Sequence, residues 1–368
     1  MKKDLDRKIW TYTVCIIAVG LVALYSASYE NVRVPHSIFY DQLIFSLFGL
    51  GIMYFIGKLD YRKFYDAAYI FYIINIILLV LVLVSGRHAL GARRWLEIGG
   101  LSFQPSEFAK LAVILMLGRY FSDRHPTLSF DFMTKAQAFF LNLFMPFTMT
   151  AILMFFIFKQ PDLGTAFLLF GMFLVMLFAS GIEYRYFFGF LAFCLALVPF
   201  GWHVLEPYQK DRLLVFLNPN IDPLGAGYTI IQSKIAIGSG QIFGKGWLSG
   251  TQNQLNFLPE RHTDFIFSVL GEEWGLLGTV LLVYLYFRLI QNILKIAEQV
   301  KDRFGTLVVV GIVAILTLQV IINIGMVIGL FPVVGLTLPF VSYGRSSFLV
   351  FIIMMGFLLN LSKRRTIF

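Results

Sequence analysis

The chain has 368 residues, of which 58% are hydrophobic and only 14% charged, and its net charge is +9. Soluble domains carry about 25% charged residues, so this composition excludes a soluble two-domain protein, and no polar stretch is long enough to form one. Many apolar runs of roughly 20 residues match the thickness of a bilayer, which assigns the positive charge to loops facing anionic lipid and gives no reason to expect a nucleic-acid partner.

Ten spans are predicted, at residues 9–28, 38–57, 65–84, 106–121, 138–158, 163–181, 186–201, 265–287, 305–330 and 345–361. The expected fold is an all-α integral membrane protein. It forms one polytopic domain over 1–368, with a single large extracellular loop, 202–263, between helices seven and eight. The start MKKDLDRK, followed by an apolar run to Tyr25, imitates a signal peptide, but its core is long for one and it reads as an uncleaved first helix. An even number of spans puts both termini on one side. Lys2, Lys3, Arg7 and Lys8 at one end, and Lys363, Arg364 and Arg365 at the other, make that side cytoplasmic. Cys15 and Cys194 lie inside apolar runs, so no disulfide is expected. With no CxxC and no HExxH, neither is a protein-only metal site.

Most basic residues then fall in cytoplasmic loops, such as Lys58, Arg62, Lys63, Arg119, Arg124, Lys135 and Arg288. The exceptions cluster. Arg87, Arg93 and Arg94 lie in the third loop, and Lys210, Arg212, Lys234, Lys245 and Arg261 in the seventh. Basic residues on the outer side suggest an anionic ligand there. Long loops also escape the charge rule, and for the seventh loop the two readings are evenly matched. Within that loop, Tyr228–Ile237 is apolar with Gln232, Ser233 and Lys234 inset, the pattern of an amphipathic helix lying on the membrane surface.

Four spans entering from the outside begin with helix-start chemistry: SFQPSEFAK, KQPDLGTAF, ERHTDFIF and SYGRSSF. For any one of them ordinary capping is the favoured account. Four together, with nearby arginines, point to a shared site for phosphate or pyrophosphate. In LPERHTDFIFSVLGEEWGLLG (258–278), Asp264 shares a helical face with Ser268, Gly271 and Gly275, a small-residue face suited to close packing. Asp264 is the best candidate for a general base, because it sits at the interface with Glu260, Arg261 and His262 just before it. On the bare residues an N-cap role for it is somewhat favoured. Glu272 and Glu273 read as structural acids, paired with a basic residue or backbone. Glu107 and Lys110, three apart, read as a pair on one helix face, although Lys110 is deep enough to meet a lipid phosphate from inside. His262 reads as a loop residue more than as a metal ligand. Asn323, Pro332, Gly335 and Pro339 break the segment before the last span, as in helices that line cavities.

GARRWLEIGGLSFQPSEFAKL (91–111), QPDLGTA (160–166), GTQNQLNFLPERHTDFIFSVLGEEWGLLG (250–278) and GLFPVVGLTLPFVSYGRSS (329–347) resemble the shape, elongation, division and sporulation (SEDS) family, and most closely its elongation branch. The resemblance covers nearly the whole chain. It implies a ten-helix glycosyltransferase of the bacterial cytoplasmic membrane that polymerises lipid II into a nascent glycan strand at the outer face. The family's essential aspartate falls on Asp264, and its basic residues on Arg93, Arg94 and Lys110; Glu107, Arg261 and His262 complete the expected substrate-binding set. Implied partners are a class B penicillin-binding protein and other elongation-complex proteins. No cofactor is implied with certainty, and whether a divalent cation (Mg or Mn) assists the pyrophosphate is left open. In SYGRSS, Arg345 stands where the family pattern has glycine, and either adds a pyrophosphate contact or narrows the cavity. The competing readings are a lipid flippase, which needs polar residues along a whole passage, and a scaffold, which needs neither the outer arginines nor Asp264.

Overall fold

A computed structural model describes residues 2–29, 37–89, 92–99, 101–124, 137, 139–223 and 225–363; Lys135, Arg364 and Arg365 lie outside them. In chain order the first helices are α1 (Lys2–Ser28), α2 (Ser37–Ile56), α3 (Tyr61–Ser85) and α4 (Pro105–Asp123). They are followed by α5 (Met145–Lys159, entered through a π-helical turn, Phe140–Phe144), α6 (Leu163–Ala179) and α7 (Tyr184–Val204). The long connection carries α8 (Pro207–Leu217), α9 (Ala226–Gly240) and the single turn α10 (Thr251–Gln254). Then come α11 (Ile266–Ala297), α12 (Arg303–Ile328) and α13 (Arg345–Lys363). Every predicted span has its helix. Eight are long and apolar enough to cross a bilayer by length and composition. The other two fall short for visible reasons: α6 has 17 residues, and α4 carries Glu107, Lys110, Arg119 and Asp123.

The protein is thus a multi-pass helical membrane protein. Its centre is formed by α4, α12 and α13, with α11 against α1 and α12 against α4 and α6. Nearly every residue of α4 from Pro105 to Gly118 is buried, while the α7 span has none fully buried; Tyr186, Phe187 and Phe190 pack against the core and much of the rest of its apolar surface is exposed.

Between α3 and α4 the chain forms a small antiparallel sheet that the helical reading did not anticipate: β1 (Arg87–Ala89), β2 (Ala92–Ile98) and β3 (Leu101–Phe103), in the order β1-β2-β3. Successive side chains on a strand point to opposite faces. In β2 that turns Leu96 inward, nearly fully buried, and keeps Glu97 outside, where it pairs with Arg87. Gly99, at φ 59°, makes the tight turn to β3.

The long loop is folded onto the bundle. The predicted surface helix exists as α9, but it docks on α11 and α12. Its small residues explain the change. Ser233 Oγ lies 2.9 Å from Ser268 Oγ, and a Cβ on Gly240 would stand 1.9 Å from the Gly271 carbonyl oxygen. The small-residue face read from Asp264 to Gly275 is therefore where α9 packs.

Two interruptions shape the end of the bundle that carries the long loop. α11 breaks at Gly275 (φ 64°, ψ −158°), and the turn segment 241–246 fills the gap: Lys245 N donates to Glu272 O at 3.0 Å and Leu276 N to Gln241 O at 2.8 Å. α12 ends at Gly329 in the left-handed region, with Leu330 N donating to Gly325 O at 2.7 Å. The irregular stretch that follows is held by polar side chains of α12. Asn323 Nδ2 donates to Leu336 O at 2.6 Å, and Gln319 Nε2 to Thr337 O at 2.8 Å. Irregular backbone at membrane depth is tolerated only when protein groups satisfy it in this way.

Candidate active site

The four polar helix starts converge. The beginnings of α4, α6, α11 and α13 meet around one polar chamber of about 490 Å³, with β2 and α8 completing its wall. Asp264 lies on that wall, one residue ahead of the α11 cap position. The cap of α11 is Phe265, with no side-chain cap hydrogen bond, so Asp264 is not spent on satisfying the first turn. By contrast Asp162 does cap α6, accepting from Thr165 N at 3.2 Å.

Backbone contacts fix Asp264 in place. Its amide donates to Glu260 O at 3.1 Å, and its carbonyl accepts from Asn323 Nδ2 at 3.0 Å. The same asparagine grips Leu336, so one side chain ties the Asp264 loop to the irregular segment facing it. Ser342 Oγ donates to Thr263 O, and Tyr343 N to His262 O at 2.9 Å. Gly335, at φ 73°, faces the carboxylate, and a Cβ there would approach Asp264 Oδ2 to 3.6 Å.

Burial pushes the Asp264 carboxyl up to about 6; Glu260 adds to the rise, while Arg212, Thr263 and Arg94 oppose it. Burial also holds His262 below the usual imidazole range, with Glu260 opposing and Arg261 reinforcing, and its Nδ1 has no hydrogen-bond partner. His262 is therefore a neutral chamber residue near pH 7.

Three arginines line the chamber: Arg94, Arg212 and Arg345. Arg94 Nε donates to Gln160 O at 3.0 Å and its Nη2 to Pro161 O. Arg212 Nη1 donates to Val333 O at 3.2 Å. Carbonyl anchors of this kind orient guanidinium groups without neutralising them.

Of the residues picked from the sequence, Asp264, His262, Arg94 and Glu107 meet in the chamber. Arg93 does not line it and is exposed, while Arg94 and Trp95 both do; the β1–β2 register is irregular at Arg94, which is the extra residue of a bulge, so simple alternation does not hold at this point of β2. Lys110 lies behind the wall, fully buried, with Nζ 2.8 Å from both Glu107 Oε2 and Gln319 Oε1. Arg261 is a clamp, in correction of the substrate contact expected for it. Its guanidinium donates to Ala27 O, Asn253 O and Asn256 Oδ1 at 3.1, 2.7 and 2.7 Å. The two glutamates of α11 complete that clamp. Glu272 accepts from Lys245 Nζ at 2.8 Å and from Gln252 N at 3.0 Å, and Glu273 from Ser26 Oγ. Arg212, Gln104, Thr337 and Tyr343 are chamber residues that the sequence reading did not select. Only Arg212 carried a signal, as one of the basic residues in the long loop.

Beside the chamber lies a second cavity of about 340 Å³, lined by apolar residues such as Leu163, Phe167, Leu213 and Ile322, with Arg212 on both walls. Inward from Lys110, α4 presents Leu111, Ile114, Leu115, Leu117 and Phe121, all buried, so the polar lining stops there. Among the described residues no three His, Cys, Asp or Glu side chains converge as a metal site.

These features define a polytopic membrane protein with a charged chamber at one end of its helical bundle and an apolar cavity alongside. The chain belongs to the FtsW/RodA/SpoVE family of cell cycle proteins, which it matches over residues 6–367. It is 41% identical to the peptidoglycan glycosyltransferase MrdB of Escherichia coli, over 99% of this chain and 95% of that one. Among solved structures, it superposes on a chain from a peptidoglycan synthase complex that coordinates polymerization and crosslinking, with a TM-score of 0.81, 32% identity and 97% of each chain covered. It also superposes on the rod shape determining protein RodA of Thermus thermophilus, with a TM-score of 0.71 and 28% identity, over 98% of this chain and 97% of that one.

Proposed function

We propose that this chain is an inverting peptidoglycan glycosyltransferase that polymerises lipid II into β-1,4-linked glycan during cell elongation. It would work at the outer face of the bacterial cytoplasmic membrane, with both termini cytoplasmic. The observation that carries this reading is the pairing of the two cavities. A polar chamber with a carboxylate of raised pKa opens beside an apolar cavity, and Arg212 belongs to both. A lipid-linked sugar pyrophosphate has the matching sequence of parts: sugar, two phosphates, polyprenyl chain.

In the reaction, the acceptor 4-hydroxyl oxygen bonds to the anomeric carbon of the donor as the bond from that carbon to the pyrophosphate oxygen breaks. The hydroxyl proton passes to Asp264, and the electron pair leaves with the pyrophosphate. With a pKa of about 6, Asp264 is ionised at pH 7 yet more basic than an ordinary aspartate, which suits a general base. Arg94 and Arg212 balance the charge developing on the leaving group. Lys110 acts through Glu107, fixing a chamber carboxylate from behind.

Relatives named as peptidoglycan glycosyltransferases support the activity, and the synthase complex supports a class B penicillin-binding protein as partner. On α4 the chamber lining ends at Glu107, and the buried apolar residues beyond Lys110 give no support to a passage along that helix. The test is to incubate the purified chain and its class B partner with labelled lipid II. A muramidase-sensitive glycan ladder is expected; intact lipid II moved between leaflets, with no polymer, would overturn the reading.

A further inference from the structure

Arg345 opens α13 and lines the chamber. Its Nη2 donates to Asp41 Oδ2, near the start of α2, at 2.6 Å. The guanidinium carbon lies 5.3 Å from the centre of the Phe45 ring, one turn further along α2. Two contacts from one helix thus hold the group at a fixed place, while the ion pair remains partly open, with Arg345 23% and Asp41 40% exposed. The Nε–H of Arg345 is buried and has no hydrogen-bond partner. An unpaired buried donor is costly, and a guanidinium with one end anchored to a carboxylate is well placed to give its remaining donors to a phosphate oxygen.

We propose that Arg345 is a third anion ligand of the chamber, giving guanidinium N–H groups not spent on Asp41 to a phosphate oxygen of a prenyl diphosphate, and that Asp41 is the residue that positions it. This rests on the chamber being the site of a lipid-linked diphosphate. The Asp41–Arg345 pair then has a specific task. It anchors a third cation, carried by α13 and held from α2, in the lining that already has Arg94 from β2 and Arg212 from α8.

The experiment measures binding of farnesyl pyrophosphate, and of inorganic pyrophosphate in a parallel arm, to the purified full chain by calorimetry, with melting temperatures recorded for every variant. Wild type is expected to bind farnesyl pyrophosphate more tightly than pyrophosphate. Arg345→Gln should weaken both about tenfold or more at an unchanged melting temperature, and Arg345→Lys should lose part of that, because an ammonium keeps the charge without the fork. The double variant Asp41→Asn/Arg345→Gln removes the carboxylate that the single variant leaves unpaired, and should bind as weakly as Arg345→Gln. Recovery of wild-type affinity in the double variant would show that repulsion from Asp41 caused the loss, and would overturn the proposal. So would wild-type affinity in both Arg345 variants. In that case, weakened binding by Arg94→Gln would leave the chamber's anion-binding role standing. If the wild type binds neither probe, the reading of the chamber falls and the role of Arg345 with it.

Discussion

Asp264 keeps a high proton affinity chiefly because it is buried, and the groups that favour its charge do not make up for that. It has no ion-pair partner among the described residues, Glu260 repels its ionised form, and Arg94 and Arg212 offset only part of the cost of burial. Since the base must be unprotonated, polymerisation should rise as pH increases through about 6 and level off above it. Initial rates on labelled lipid II between pH 5 and 8 check this, and a flat profile would count against Asp264 as the base. Glu107 and Lys110 are a second kind of pair, almost wholly removed from water. Glu107→Gln should destabilise the fold by about 3 kcal/mol, because it strands a buried ammonium. The double variant Glu107→Gln/Lys110→Met should recover much of that, as read from thermal melts. Asp264, Arg94, Glu107 and His262 were legible in the sequence because a polar residue at the edge of a greasy segment needs a reason. Arg345 was noticed only as a departure from the family pattern. Its partner Asp41 lies 304 residues away in the chain, and local spacing cannot show such a contact.

Elements carry the site by being interrupted. The helical periods of the long spans are plain in the sequence, and all ten appear. Their breaks were partly legible: glycines and prolines marked the segment after α12, but the break in α11 at Gly275 depends on segment 241–246 arriving to bond its freed carbonyls. Strands as short as β1 and β3 carry too little alternation to announce themselves, so the sheet was missed, and with it the register irregularity at Arg94, the arginine of β2 that reaches the chamber. Gly244 is a tight point of the α11 junction. It sits at φ 80°, and an added Cβ would meet Glu273 O at 2.1 Å. Gly244→Ala should therefore destabilise by at least about 2 kcal/mol and lose activity with it. A variant with wild-type melting and activity would mean that the junction does not support the site.

At the scale of the molecule, a buried centre that includes α4, α12 and α13 backs the chamber, while α7 stands at the rim, packed mainly through aromatic side chains such as Phe187 and Phe190. The charge rule gave a sidedness that the fold alone does not fix. It puts the α8–α10 region outside and the residues around Lys363 inside. Single cysteines placed at Gln254 and at Lys363, in a background with Cys15 and Cys194 replaced, should react with an impermeant maleimide on intact spheroplasts only at position 254. The opposite pattern would invert the topology and move the chamber to the cytoplasmic face.

The central claim is that Asp264 performs the proton transfer of glycan polymerisation. The direct measurement runs wild type and Asp264→Asn side by side, each with the class B partner and labelled lipid II, after melting curves establish that both are folded. The account predicts a ladder from the wild type and at least about a 100-fold lower rate from the variant, which keeps the shape and loses the base. A folded Asp264→Asn that makes the same ladder at the same rate would contradict it.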